Sequence, residues 1–142
     1  MILDSTYLLP LAGIAVDTDL LRMILEGKVD VKLGEISVSL ISISEVQAKA
    51  AKLGVPLASV VRAVRFIERA FNVIPFHEPS VIEASHEVRR YIPDYIDCVV
   101  LGTAIALREN LVTEDSMVHR VKGAIEGRYG VKILSYHDLV EG

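Results

Sequence analysis

The sequence predicts an α/β fold built on a parallel sheet. Short apolar runs alternate along the chain with longer segments of helical periodicity, the pattern that right-handed crossovers turn into a parallel sheet. Apolar residues make up 51% of the 142 and mean hydropathy is +0.42, which suits strands covered on both faces. Four acids, Asp4, Glu45, Asp97 and Asp115, each stand where an apolar run meets a turn or helix start. In open α/β sheets that is the edge where ligands bind.

The elements follow in order. Residues 1–3 form a first strand, and Asp4, Ser5 and Thr6 turn out of it. A helix starts near Tyr7 and is disturbed at Pro10 and Gly13; another covers residues 17–26, with Gly27 as its stop. Residues 35–42 alternate as a strand does. The helix over 43–53 ends at Gly54, with Pro56 just beyond. The next helix carries Val60, Val64, Ile67 and Phe71 on one face. Residues 73–76 read as a short strand despite Pro75. Helices over 78–91 and 94–108, a strand at 111–113, a helix over 116–125 and a last strand at 132–136 complete the chain. With no repeat, linker or low-complexity segment, residues 1–142 read as one domain large enough for a real core.

Composition removes several function classes. The single cysteine, Cys98, excludes an intrachain disulfide and any multi-cysteine zinc site. The four histidines are scattered. The formal charge of −4 argues against a general nucleic-acid coat, which shows a basic stripe, yet leaves nucleic acid open as a substrate. The longest uncharged stretch, residues 5–16, is too short to span a bilayer. With no basic leader at the N-terminus, the expectation is a cytoplasmic protein with no membrane partner.

Each acid has an ordinary reading. Asp4 can bond its own turn, Ser42 to Glu45 can form a capping box, Asp94 and Asp97 favour the positive end of the following helix, and Asp115 can be an N-cap. Capping does not explain why an acid occupies each strand-linked position where Ser, Thr or Asn would serve. Four carboxylates at one edge with no basic partner require cations, and hard oxygen donors suit Mg²⁺ or Mn²⁺. The residues therefore point to a metal-dependent phosphoryl-transfer site. Ser5, Thr6 and Ser116 read first as turn formers, and their hydroxyls could also orient the neighbouring carboxylates. Arg62, Arg65 and Arg69, and the pair Arg89–Arg90, read first as solvated faces and second as RNA contacts.

Taken in order, Ile2-Leu3-Asp4-Ser5-Thr6, Ser42-Ile43-Ser44-Glu45-Val46, Asp97-Cys98-Val99-Val100-Leu101-Gly102-Thr103-Ala104 and Leu111-Val112-Thr113-Glu114-Asp115 resemble the PIN-domain ribonucleases, most closely the VapC-type toxins of toxin–antitoxin pairs. Gly102 stands where the family often has Ala, a change read as sterically mild. Asp94 adds a fifth acid; the spacing to Thr103-Ala104 favours Asp97 as the family's Asp. Residues after Asp115 match least.

The resemblance implies a PIN-like three-layer α/β/α sandwich with a five-stranded parallel sheet. It also implies one or two Mg²⁺ or Mn²⁺ ions, cleavage of single-stranded or loop RNA, a homodimer, and a small antitoxin protein that covers the site. Asp4 and Asp97 are then first choices as direct ligands. Asp115 would bind a second ion or act through water, and Glu45 would ligate or position the attacking water. Thr6, Thr113 and Ser116 would stand behind them. Tyr7 and Tyr95 are candidates for stacking on bases. The apolar surplus and the 60–71 stripe suggest the dimer contact, and residues 7–11 and 20–24 a groove for the antitoxin. A catalytically silent PIN-like module that only binds a partner is the alternative. A haloacid-dehalogenase-like phosphatase ranks lower, because Thr6 stands where it needs a second Asp.

Overall fold

The computed structural model describes residues 1–141. Five short strands, β1 (Ile2–Leu3), β2 (Ser37–Ser39), β3 (Asn72–Ile74), β4 (Leu111–Val112) and β5 (Ile133–Leu134), form one sheet in the order β3-β2-β1-β4-β5. Every pairing is parallel, with Ile2 beside both Ser37 and Leu111, and Leu3 beside Val112. All five carboxyl ends therefore share one rim.

Both faces of the sheet are covered, and adjacent residues of a strand feed opposite cores. Leu3 and Val112 pack into one cluster with Ile43, Val46, Ala63 and Ile67. Ile2 and Leu111 pack into the other with Cys98, Leu101, Ala104, Val118 and Ile125. The first layer comprises a 3₁₀ helix (Ser5–Ala12), α1 (Leu20–Leu25), α2 (Leu40–Lys52) and α3 (Leu57–Ala70). The other comprises α4 (Pro79–Val88), α5 (Tyr95–Leu107), α6 (Ser116–Arg120) and α7 (Lys122–Tyr129), and α8 (Tyr136–Val140) follows β5. This is the expected three-layer α/β/α sandwich with a five-stranded parallel sheet. Among the described residues no helix is long and apolar enough to cross a membrane.

Several boundaries differ from the sequence reading. The strand expected over 35–42 stops at Ser39, whose hydroxyl caps α2 by accepting from the Ile41 N–H at 3.3 Å. The capping box expected at Ser42 is therefore absent: Ser42 lies inside α2, and Glu45 is released from capping duty. The helix expected over 17–26 begins only at Leu20, capped by Asp19. The helix expected over 78–91 stops at Val88. The one expected over 116–125 breaks at Val121 into α6 and α7. The last strand ends at Leu134, because Ser135 and Asp138 form a capping box that starts α8, an element not foreseen. The stripe on α3 divides: Ile67 and Phe71 enter the core, while Val60 and Val64 line an open groove with Leu57 and Val61.

Gly102 is not a mild replacement for Ala. A Cβ there would lie 2.5 Å from the Ser85 Oγ and 2.8 Å from the Ser85 backbone nitrogen. Ser85 cannot easily yield, since its Oγ donates to the Val81 carbonyl at 2.6 Å inside α4. The glycine thus sets how closely α4 and α5 approach. Gly102→Ala is expected to destabilise the protein by about 1–3 kcal/mol through overpacking, read as a fall in the denaturant midpoint; an unchanged midpoint would show that the helices separate freely.

Candidate active site

The site begins with register. The Asp4 N–H bonds the Val112 carbonyl at 3.1 Å, and the Thr113 N–H bonds the Leu134 carbonyl at 2.9 Å. Asp4 and Thr113 are thereby held side by side just beyond the ends of β1 and β4. The Thr113 hydroxyl donates to Asp4 Oδ2 at 2.8 Å and accepts from the Asp115 N–H at 3.1 Å. One buried threonine thus links the first acid of the chain to the last. Asp4 Oδ1 accepts from the Ser5 N–H at 2.7 Å, which starts the 3₁₀ helix and fixes the carboxylate's direction.

The other acids arrive on helices. Asp94 caps α5, accepting from the N–H groups of Ile96 at 2.8 Å and Asp97 at 3.3 Å. The structure so divides the two: Asp94 is the cap, and Asp97, in the first turn, is free of that role. Asp115 caps α6 through the Val118 N–H at 3.1 Å, so its ordinary reading is met as well. Glu45 lies in the second turn of α2, with Oε1 buried and unpartnered. One turn earlier on that helix, the Ser42 hydroxyl is also buried without a partner.

Electrostatics show that the acids share one field. Glu45 is pushed up to about 7 by burial first, then by the charges of Asp4, Asp97 and Asp94. Asp97 is pushed up to about 6 by burial, then by Asp115, Asp94 and Asp4. Asp4 is raised by burial, with Asp115 adding to the rise; bonds from Thr113 and Ser5 oppose it. Each acid senses charge from elements far apart in sequence, and no lysine or arginine figures among the causes.

Among the described residues, no three His, Cys, Asp or Glu side chains already close on a point that could hold a metal ion. The arrangement nonetheless fits a hard divalent cation. All donors are oxygens, as Mg²⁺ and Mn²⁺ prefer. The unpartnered Glu45 oxygen is a buried polar atom with unmet capacity, which a protein otherwise avoids. Mutual repulsion is the state that a shared cation would relieve.

The expected supporting hydroxyls separate. Thr113 contacts Asp4 directly. Ser5 favours the ionised forms of both Asp4 and Glu45. Neither Thr6 nor Ser116 makes a hydrogen bond to these carboxylates among the described residues; Ser116 is exposed at the start of α6. Tyr7 cannot stack on a base, because it is fully buried. Its hydroxyl donates to Glu114, whose Oε2 also accepts from the Tyr136 N–H at 2.8 Å. His119 donates Nε2–H to the Thr113 carbonyl at 2.7 Å, since a carbonyl can only accept. Glu114 and His119 were not foreseen: their partners lie on other turns and strands, and their positions carry no local signal.

A comparison with curated proteins gave no match. Among solved structures, a toxin–antitoxin complex from Klebsiella pneumoniae superposes with a TM-score of 0.65 at 22% identity, covering 96% of this chain and 98% of that one. VapBC2 from Rickettsia felis, bound to a DNA fragment from its promoter, gives 0.64 at 16% identity over 94% and 96%. FitAcB from Neisseria gonorrhoeae gives 0.66 at 16% over 95% and 96%. At these identities the likeness is one of fold. The sequence itself matches the PIN domain over residues 1–124, and the chain belongs to the PIN domain family, whose members are generally nucleases.

Proposed function

We propose that the chain is a Mg²⁺- or Mn²⁺-dependent ribonuclease that hydrolyses phosphodiester bonds in RNA and acts as the toxin of a toxin–antitoxin pair. The observation that carries this reading is the meeting of Asp4, Glu45, Asp97 and Asp115 in one field at the carboxyl rim, with one Glu45 oxygen buried and unpartnered. Bound there, a divalent ion supplies Lewis acidity toward a phosphoryl oxygen and lowers the pKa of a bound water.

The chain's own residues do the rest. Asp4 and Asp97 are the direct donors, one fixed by the sheet and the other by the first turn of α5. Asp115 contributes from the far side of Thr113. Glu45, pushed up to about 7, is poised near neutral pH to accept a proton from the attacking water, as a general base should be. Thr113 keeps Asp4 and Asp115 in register. A silent binding module would have no use for four acids in mutual repulsion. A phosphatase of the haloacid-dehalogenase kind lacks its second Asp at Thr6.

The toxin assignment draws on the solved structures of like fold, one of which is a toxin–antitoxin complex and another VapBC2 bound to promoter DNA. A small antitoxin would then cover the site. Pro10, Leu11, Leu21 and Leu25 line an open apolar groove bordered by Asp19, Arg22 and Glu26, the surface proposed for an antitoxin segment; Tyr7 and Leu20, expected there, are core. The groove of Leu57, Val60, Val61 and Val64 is proposed as part of a two-fold contact. Light scattering at micromolar concentration is expected to give twice the chain mass, and a monomeric mass would reject the dimer.

The test of function is incubation of purified protein with a panel of structured RNAs in Mg²⁺, Mn²⁺ or EDTA. Cleavage in unpaired regions that EDTA abolishes supports the reading. Intact RNA under all conditions, with the protein folded, would overturn it.

A further inference from the structure

Tyr7 and Glu114 take no part in the chemistry above, yet they close a ring of bonds beside it. The 3₁₀ helix that follows Asp4 is eight residues long. Such helices have poor hydrogen-bond geometry and seldom exceed about four residues, so the orientation of this one depends on ties to the rest of the fold. Roughly three residues make one turn, and Tyr7 therefore stands one turn beyond Asp4 on the same side, its N–H bonded to the Asp4 carbonyl at 3.3 Å. Both side chains reach the turn after β4. Asp4 Oδ2 accepts from the Thr113 hydroxyl at 2.8 Å, and the Tyr7 hydroxyl donates to Glu114 Oε2. Asp4, Tyr7, Glu114 and Thr113 are thus linked in a closed ring. Asp115 is the next residue, its N–H tied to the Thr113 hydroxyl at 3.1 Å. The Tyr136 N–H, at the start of α8, holds the same Glu114 oxygen at 2.8 Å. Tyr7 is fully buried, while Glu114 is exposed and, among the described residues, in no ion pair. A carboxylate here adds negative charge to an edge that already repels itself. What it supplies is one acceptor for two donors from distant parts of the chain.

We propose that Tyr7 and Glu114 are positioning residues, which hold the Asp4 and Asp115 carboxylates in the arrangement that a divalent cation requires. The inference rests on the metal-dependent ribonuclease reading and adds two residues to its site. The bond from Thr113 to Asp4 fixes one point and leaves a hinge. The second bond, one helical turn away, fixes the direction of the 3₁₀ helix and so of the Asp4 side chain. Without it the two turns separate, and a displacement of about 1 Å at reacting groups costs on the order of 100-fold in rate. Tyr7 is buried out of reach of RNA, so its loss acts on cation affinity and kcat and leaves KM for RNA unchanged.

Calorimetric titration of Mn²⁺, and cleavage of a short single-stranded RNA at saturating Mn²⁺, test the proposal with Tyr7→Phe, Glu114→Ala and Glu114→Gln, circular dichroism confirming the fold of each. Tyr7→Phe, which removes one hydroxyl and keeps the buried ring, is expected to raise the Kd for Mn²⁺ on the order of 10-fold and to lower kcat by roughly 10–100-fold, with KM for RNA unchanged. Glu114→Ala is expected to do the same. Glu114→Gln is expected to restore both values, because an amide oxygen accepts both bonds without the charge. Unchanged Mn²⁺ affinity and kcat in Tyr7→Phe would overturn the proposal and leave the ribonuclease standing. Equal impairment in Glu114→Gln and Glu114→Ala would assign the effect to charge and also overturn it; this pair decides alone if Tyr7→Phe does not fold. Mn²⁺ binding without RNA cleavage by the unaltered protein would overturn the ribonuclease reading, and the Mn²⁺ affinities of the variants would still decide the positioning role. Failure of the unaltered protein to bind Mn²⁺ would overturn both.

Discussion

Asp97→Asn and Asp4→Asn are each expected to lower RNA cleavage by 100-fold or more while the protein stays folded. Groups that merely support metal ligands cost roughly 10–100-fold when altered, so loss of a ligand's charge should exceed that range. The stability readout separates a site from a cap. Asn caps a helix about as well as Asp, and Asp97 is not the cap of α5 in any case, because Asp94 is. Asp97 and Asp4 each contribute to the repulsion that raises Glu45. Removing either charge should therefore leave the melting temperature without added metal unchanged or higher, while activity disappears. Full activity in a folded variant would remove that acid from the mechanism. Lost activity together with lost fold would return it to a structural role.

The second large effect is an inverted pH dependence. Asp4, Glu45 and Asp97 all have folded pKa values raised above their unfolded ones, with Glu45 near 7 and Asp97 near 6. An acid raised on folding binds protons more tightly in the native state. Its contribution to stability is full below the unfolded values, about 4, and is lost as pH rises through the folded values. In EDTA the protein is therefore expected to lose on the order of 2 kcal/mol between pH 5 and pH 8. Mn²⁺ competes with those protons and binds only the folded state, so its stabilisation should grow over the same interval. Urea midpoints at pH 5, 6, 7 and 8, with EDTA and with Mn²⁺, measure both slopes. Parallel slopes would show that the acids do not act as one set.

What could be read in advance follows the range of the interactions concerned. The acids at strand ends were legible because strand, turn and helix periods are local, and the alternation of apolar runs fixed the parallel architecture. The start of α2 was not. Ser37, Ser39, Ser42 and Ser44 are all plausible caps by type, and only the pairing of β2 with β1 and β3 decides that the strand ends at Ser39. That single shift changes the reading of Glu45 from a capping residue to an acid with a buried, unpartnered oxygen. Glu114 was illegible for the same reason: its partner Tyr7 is brought to it from the opposite end of the chain by the sheet. Gly102 was misread because nothing near it in sequence announces Ser85 across the α4–α5 contact. Spacing favoured Asp97 over Asp94 as the site acid, and the structure gives Asp94 the capping role at the start of α5.

The central claim is that these acids act together on one divalent cation. Isothermal titration of Mn²⁺ into the protein at pH 7, in two buffers of different ionisation enthalpy, tests it most directly. Saturable binding with release of protons is predicted, because Asp97, raised to about 6, must ionise fully to serve as a donor and the cation's charge also favours the ionised form of Glu45, raised to about 7. Asp97→Asn should abolish both the heat and the proton release. A flat titration, or binding with no proton release that Asp97→Asn leaves intact, would contradict the account.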